Sequence, residues 1–185
     1  MDDAEAEQQH VMGVLEPHFA PIISIFDDAM ALYNSDVSPR ARAEHDGRAA
    51  ASAVYRHAWM GLQREFGEAT GFHFGELRGL HYVNLRDLVV FRPKKVDANG
   101  RHVNSQTPQQ KDFDRQRPLP GIPPAAIRVI IGYEPDVAFS KVERVIVRRP
   151  KGRWVSQIVT GGDVCSWIDI TPVELPFTPG RRHTQ

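Results

Sequence analysis

The strongest indication of the fold is a stretch of three apolar runs separated by short turn signals. It occupies residues 127–159, IRVIIGYEPDVAFSKVERVIVRRPKGRWVSQIV. Apolar side chains alternate along 127–133, as in a half-buried strand, and the runs 142–149 and 154–159 have the same strand-like character. The four residues 150–153, PKGR, suit a tight turn between the last two runs. Sequential strands with short links predict an antiparallel meander.

Two more strands are predicted upstream, at 80–85 and 88–92, on either side of Arg86-Asp87. Asn99-Gly100 is a turn signal, because both residues tolerate a positive φ. The segment between that turn and residue 116 is polar and compatible with a helix only in its second half. Residues 117–124, RPLPGIPP, cannot form a central strand and predict a stiff, extended connector.

The N-terminal third has helical periodicity. Residues 8–33 predict a helix with a break or kink at Pro17 and Pro21, because proline removes a backbone donor and clashes with the preceding turn. Ser38-Pro39 predicts the start of a second helix, with serine as N-cap and proline in the first turn. That helix is expected to run from 40 to about 66 and to pack antiparallel against the first.

Together these elements predict an α+β fold in which an N-terminal helical pair packs on a C-terminal antiparallel β-meander. The length of 185 residues and a hydrophobic content of 41% suit a single domain over 1–185. Within it we expect a helical part at 1–70, a β-rich part at 71–171 and an extended tail at 172–185.

Charge is distributed unevenly along the chain. No lysine or arginine precedes Arg40, whereas 8 acidic residues do; the other 15 acidic residues and all 23 basic residues follow. The formal net charge of 0 therefore combines an acidic start with a basic remainder. An acidic cover on a basic face, or a partner site, would produce this asymmetry, and so would two unlike solvated surfaces.

Several classes of protein are not indicated. No apolar stretch is long enough to span a bilayer, and the acidic first residues are the opposite of a secretory signal, so we expect a cytoplasmic protein. A single cysteine, Cys165, excludes an intramolecular disulfide framework, and we expect a buried apolar role for it rather than a nucleophilic one.

No established catalytic motif is present: the sequence lacks a phosphate loop, a dinucleotide fingerprint, a zinc helix and a nucleophile elbow, so we predict no cofactor and no metal. His45 followed by Asp46 offers an oriented general base, although neighbours on a helix point to different faces and a surface role is favoured. His73 and His81 flank a predicted turn, and a metal role for them is disfavoured.

The strongest polar pattern is basic. If the strands at 88–92 and 142–149 are neighbours, their cations could bind phosphate or carboxylate, and nucleic acid would be an obvious polyanion. Alternatively, the cations protect exposed strands from aggregation. The candidate partner-binding residues on these strands are Arg92, Lys94, Lys95, Arg148 and Arg149.

The tail adds a separate candidate. Residues 172–177, PVELPF, loosely resemble the short peptides with which bacterial replication proteins bind the DNA sliding clamp. Leu175 and Phe177 would be the clamp-binding residues. Alternatively, both side chains dock the tail on the domain.

A set of segments resembles, in its order and spacing, a family of small, uncharacterised bacterial and phage proteins. The matching segments lie between Ser38 and Val159: they are SPRAR at 38–42, His45-Asp46, VFRPKK at 90–95, Asn104, Thr107, Gln109, Phe113, LPGIPP at 119–124 and Gly132-Tyr133. Members of that family are encoded beside Xre-type, ImmA-like antitoxin genes. The resemblance implies the toxic member of a toxin–antitoxin or phage-defence pair.

The expected function is therefore a toxin that binds an essential macromolecule, either the sliding clamp or nucleic acid, and is neutralised by a cognate antitoxin protein. The basic residues would contact the target or the antitoxin. An alternative is a nucleic-acid-processing enzyme that uses His45, Asp46 and a basic strand face. A nonenzymatic immunity or adaptor protein is a third reading.

Overall fold

The computed structural model describes residues 3–102, 107–152, 154–162 and 164–172. Five α-helices and a 3-10 turn lie in these ranges. They are α1 (Asp3–Leu15), the 3-10 turn (Glu16–His18), α2 (Phe19–Asp36), α3 (Pro39–Glu44), α4 (Gly47–Phe66) and α5 (Pro108–Asp114). Among the described residues, no helix is both long and apolar enough to cross a membrane.

The remaining elements form one seven-stranded sheet in the order β1-β2-β3-β4-β5-β6-β7. Its strands are β1 (Phe72–Leu77), β2 (Leu80–Leu85), β3 (Val89–Lys95), β4 (Ile127–Pro135), β5 (Val142–Arg148), β6 (Val155–Gly161) and β7 (Val164–Asp169). The predicted α+β class is confirmed, and so is the antiparallel meander of β4, β5 and β6.

The sheet is not antiparallel throughout, because β3 and β4 pair in parallel. Parallel neighbours need a crossover connection, and the segment from 96 to 126 supplies it with α5 and the proline-rich connector. The described part of this crossover covers the face of the sheet opposite α1, α2 and α4. A local pattern cannot reveal which way two distant strands pair, so the expected antiparallel sheet is correct except at this pair.

The helical region differs from the sequence prediction in two places. Pro17 lies in the 3-10 turn that separates α1 from α2, as expected, but Pro21 lies inside the first turn of α2 without ending it. The first four N–H groups of a helix have no intrahelical partner, so proline is tolerated there.

The helix predicted from 40 to 66 is two helices. Ser38 caps α3 as expected, with its Oγ accepting from the backbone N–H of Ala41 at 3.3 Å. Asp46 then caps α4, accepting from the N–H groups of Arg48 at 3.0 Å and Ala49 at 2.7 Å. Aspartate favours such a cap over a helix interior, and the chain therefore breaks at His45-Asp46.

The sheet separates two apolar layers. Alternate strand residues such as Phe91, Val129 and Val147 pack with α1, α2 and α4. Their neighbours on the opposite face, such as Val90 and Ile130, pack beneath α5 and the connector. On the helical side, α2 and α4 run antiparallel: Ile25 packs against Gly61, while the other end of α2 meets the start of α4.

Candidate functional site

A cleft of about 550 Å³ opens where the end of α2, the α3–α4 junction and the β4–β5 loop meet. We call it the His45 cleft. Its polar and aromatic lining comprises Tyr33, Asn34, Arg42, His45, Asp46, Phe139 and Ser140. The volume falls within the range of small-ligand sites, about 300–1,000 Å³.

His45 is oriented in this cleft by Tyr33 and not by Asp46. The Tyr33 hydroxyl and His45 Nδ1 lie 3.1 Å apart, and the two rings stack with centroids 6.0 Å apart. Tyr33 is buried, so it is a rigid support for an exposed imidazole. The Asp46 carboxylate accepts hydrogen bonds from N–H groups in the first turn of α4 and makes none with His45. The His45-Asp46 pair predicted from the sequence is therefore a histidine beside a helix cap.

The ionised form of Asp46 is favoured by its capping bonds. The N–H of Ala49 holds the pKa of the carboxyl below its usual range, with help from the N–H of Arg48. A second aspartate shapes the opposite wall: Asp136 accepts bonds from the backbone of Ser140 at 2.6 Å and from that serine's hydroxyl at 2.5 Å. Both walls are therefore fixed by backbone-bonded carboxylates.

Arg42 joins the two walls through Asn34. Its Nη1 donates to Asn34 Oδ1, and Asn34 Nδ2 in turn donates to the carbonyl oxygens of Met30 at 2.9 Å and Phe139 at 3.0 Å. The Nε of Arg42 is buried and has no hydrogen-bond partner among the described residues. A ligand in the cleft could therefore bond only to the rest of the guanidinium, whose Nη2 makes no hydrogen bond among the described residues.

Lys95 supplies a second cation at the rim of the cleft. Its side chain is exposed, and its Nζ lies 4.8 Å from the centroid of the Phe139 ring. The same nitrogen lies 3.6 Å from the position that a Cβ on Gly47 would occupy. The Lys95 side chain thus extends from β3 to the start of α4. Its ammonium adds positive charge to the rim of the cleft that Arg42 and His45 line.

A second polar cluster lies where β2 and β3 separate, and we call it the Arg92 seam: Tyr55, His81, Arg92, Lys94 and Gln110. The β2–β3 ladder ends at the pair Val83 and Phe91, and beyond it Pro93 has no N–H to donate. Arg92 fills the opening, with Nε donating to the carbonyl oxygen of His81 at 2.9 Å and Nη1 donating to Gln110 Oε1.

The other seam residues surround Arg92. His81 Nδ1 lies 3.1 Å from the Tyr55 hydroxyl, and its Nε2 lies 3.3 Å from the carboxylate of Glu76. Lys94 Nζ lies 6.0 Å from the centroid of the Tyr55 ring. Burial lowers the pKa of Lys94 to about 8, and the positive charge of Arg92 contributes in the same direction.

The other predicted cations lie apart from both sites. β4 separates β3 from β5, so the condition that these strands be neighbours is not met, although Arg92, Ile130 and Arg148 form one row across the sheet. Arg148 donates to the carbonyl of Asn99 at 2.8 Å. Arg149 forms an ion pair with Glu7 on α1 at 2.8 Å.

Sequence reasoning missed the residues that organise the two clusters, namely Tyr33, Asn34, Tyr55 and Gln110. Each lies on a different element from its partner, and no local spacing signals the contact. His81 was considered only for a metal; among the described residues, no three metal-ligating side chains gather. Leu175 and Phe177, the predicted clamp-binding residues, lie outside the described residues.

Comparison of the chain with protein-family models, with curated proteins and with solved structures finds no match.

Proposed function

We propose that this chain is the toxin of a bacterial or phage toxin–antitoxin or defence pair, and that it binds an anionic group of an essential macromolecule in the His45 cleft. A cognate antitoxin protein would neutralise it by covering the cleft. The phosphates of nucleic acid are the target group that the cleft's charges fit best, because guanidinium and ammonium groups both bind phosphate strongly.

The observation that carries this proposal is the meeting of two distant segments at one cleft. Residues 38–46 and 90–95 both belong to the set on which the resemblance rests. The first supplies Arg42 and His45, and the second brings Lys95 beside the start of α4. Arg42 and Lys95, two cations from separate elements, therefore lie at one cleft together with His45, which is an arrangement suited to an anion.

Expression of the chain alone in a bacterial host tests the toxin proposal. Induction is expected to arrest growth, and co-expression of the protein encoded by the neighbouring gene is expected to restore it. A host that grows at its normal rate at a demonstrated level of intact chain would contradict the proposal.

Matched variants assign the effect to the cleft. Arg42→Gln and Lys95→Gln each remove one charge from the site, and each is expected to weaken binding of a short nucleic acid about tenfold. Arg40→Gln is the control, because Arg40 lies on the same helix with a side chain that is 93% exposed. Equal weakening by Arg40→Gln would show that net charge, and not the cleft, determines binding.

The sliding clamp is a separable target. If the tail binds it, Leu175→Ala and Phe177→Ala will abolish capture of the clamp in a pull-down while circular dichroism remains unchanged. Loss of toxicity in those variants with Arg42 intact would move the target site from the cleft to the tail.

A nucleic-acid-processing enzyme is a second candidate, and the stacking of His45 on Tyr33 specifically favours it. A positioned, exposed imidazole beside two cations has the elements of acid–base catalysis on a phosphodiester. Incubation with labelled RNA and DNA in the presence of divalent metals tests it. Cleavage that His45→Gln abolishes and that the exposed α1 variant His10→Gln retains would support the enzyme; no product from the intact chain would exclude it.

A further inference from the structure

The Arg92 seam holds two neighbouring cations whose described contacts are all with uncharged groups. Arg92 is only 5% exposed and bonds to a backbone carbonyl and an amide oxygen. Among the described residues, Lys94 has neither a hydrogen bond nor an ion pair, and its Nζ faces the Tyr55 ring. A charge that is largely removed from water is costly unless an opposite charge accompanies it.

We propose that the seam is a binding site for the phosphate or carboxylate group of a small ligand, with Lys94 as its principal contact and Arg92 as the supporting charge. The site depends on contacts between β2, β3, α4 and α5. It shares β3 and α4 with the His45 cleft but uses different side chains, and it does not rest on the toxin proposal.

The two carboxylates around the seam are both engaged by groups other than Lys94. On one side, Glu76, His81 and Tyr55 form a chain of polar contacts that ends at the phenol. On the other side, α5 contributes Asp114, whose carboxylate is engaged by Gln110 Nε2 at 2.7 Å and lies 3.6 Å from His102. The carboxylate of Asp114 favours the ammonium form of Lys94, but the carboxylate and the ammonium are not within ion-pair distance of each other.

This geometry has a consequence for pH. Because the pKa of Lys94 is about 8, the ammonium is present at pH 7 and is lost as the pH rises above that value. A bound anion attracts the ammonium and not the neutral amine. Affinity for the ligand is therefore expected to fall as the pH rises above about 8, by up to about tenfold for each pH unit while the amine is neutral in the free chain and charged in the complex.

Calorimetric titration of the full chain with inorganic phosphate, and separately with citrate at equal ionic strength, tests the proposal. Phosphate binding alone would identify a phosphate-bearing ligand, and citrate binding alone would identify a carboxylate. Lys94→Gln is expected to weaken binding at least about tenfold at pH 7. Lys111→Gln is the matched control, because Lys111 is an exposed cation on the neighbouring α5.

Lys94→Arg distinguishes a binding role from a structural one. Arginine stays charged throughout the accessible pH range, so this variant is expected to bind at pH 7 and to lose the decline in affinity at high pH. Thermal melts of all variants report on the fold. Absence of binding of both anions to the intact chain, equal weakening by Lys111→Gln, or an unchanged pH profile in Lys94→Arg would each overturn the proposal.

Discussion

The His45 cleft and the Arg92 seam use the same two side-chain pairings in opposite environments. In each, an arginine Nη1 donates to a side-chain amide oxygen, of Asn34 in the cleft and of Gln110 in the seam. In each, a tyrosine hydroxyl lies 3.1 Å from a histidine Nδ1. The cleft is formed by helix ends and a loop, whereas the seam lies within the sheet beneath α5.

The different environments of the cleft and the seam distinguish charges that stabilise the fold from charges that are available to a partner. Arg92 is nearly inaccessible and bonds to groups that would otherwise be buried without a donor. Arg42 and His45 line the open His45 cleft, and Lys95 lies at its rim. Buried hydrogen bonds stabilise a structure most when their loss leaves an unsatisfied group, so we expect substitution of Arg92 to affect stability and substitution at the cleft to affect binding.

The largest expected effect is on Arg92. Arg92→Leu leaves the His81 carbonyl and Gln110 Oε1 without their donor, and we expect it to lower the free energy of unfolding by about 3 kcal/mol. Arg42→Leu removes a similar bond at the edge of the cleft, where water can replace it, and should cost about 1 kcal/mol. Urea denaturation of both variants gives the comparison. Equal losses would show that the two arginines are equivalent for the fold.

Lys94 should give the next largest change, with the opposite sign. Lys94→Met removes a half-buried charge, and we expect it to stabilise the fold at pH 7 by about 2 kcal/mol after allowance for partial exposure. The pKa of about 8 lies below the usual 10.5, so the unfolded chain binds more protons between those values. The stability of the native chain should therefore rise with pH through that window.

The difference in stability between Lys94→Met and the unmodified chain should accordingly shrink through this window and disappear above about pH 10.5, where Lys94 is neutral in both the folded and the unfolded state. Urea denaturation of both proteins at pH 7 and at the upper end of the window measures it. A stability difference that stays constant with pH would mean that packing, and not charge, explains the effect. A more stable variant that no longer binds anions would show that the lysine is retained for a ligand.

Local chemistry allowed most of the elements to be predicted from the sequence. The Ser38 cap, the turn at Asn99-Gly100 and the meander from β4 to β6 each depend on residues close together in the chain. The break at Asp46 was detectable in principle, because aspartate is a strong N-cap, but the alanine-rich pattern on both sides favoured one helix. β1 and β7 were not predicted; both are short edge strands with poor apolar alternation.

The sites were less predictable because their pairings are tertiary. Tyr33 and His45 are 12 residues apart, and Tyr55 and His81 are 26 apart. Neither separation matches a helical or strand repeat within one element. The sequence predicted the candidate residues Arg92, Lys94, Lys95 and His45 by chemical type. The sequence could not show that β4 lies between β3 and β5. Nor could it show that Lys94 and Lys95, although consecutive in the chain, have different surroundings.

The ion pair between Glu7 and Arg149 is intermediate in solvent exposure between the groups of the cleft and Arg92 in the seam. The Glu7 carboxylate accepts from Trp154 Nε1 at 2.8 Å and pairs with Arg149, with side chains 18% and 34% exposed. We expect Glu7→Gln to cost about 1 kcal/mol and to shift Trp154 fluorescence. The exposed Glu5→Gln on the same helix is the control. An unchanged stability would mean that the acidic helix α1 is not anchored through its charge.

The smallest effect distinguishes the two tyrosine–histidine pairs. Tyr33→Phe and Tyr55→Phe each remove one hydroxyl, and because the histidine ring nitrogen can then bond to water, each should cost less than about 1 kcal/mol. Nitrogen-15 NMR of the imidazoles should show a changed Nδ1 signal for His45 in the first variant and for His81 in the second. Phosphate affinity at the seam should fall in Tyr55→Phe and not in Tyr33→Phe. If Tyr33→Phe weakens it equally, the cleft and the seam are coupled, because a substitution in the one would then alter the ligand site of the other.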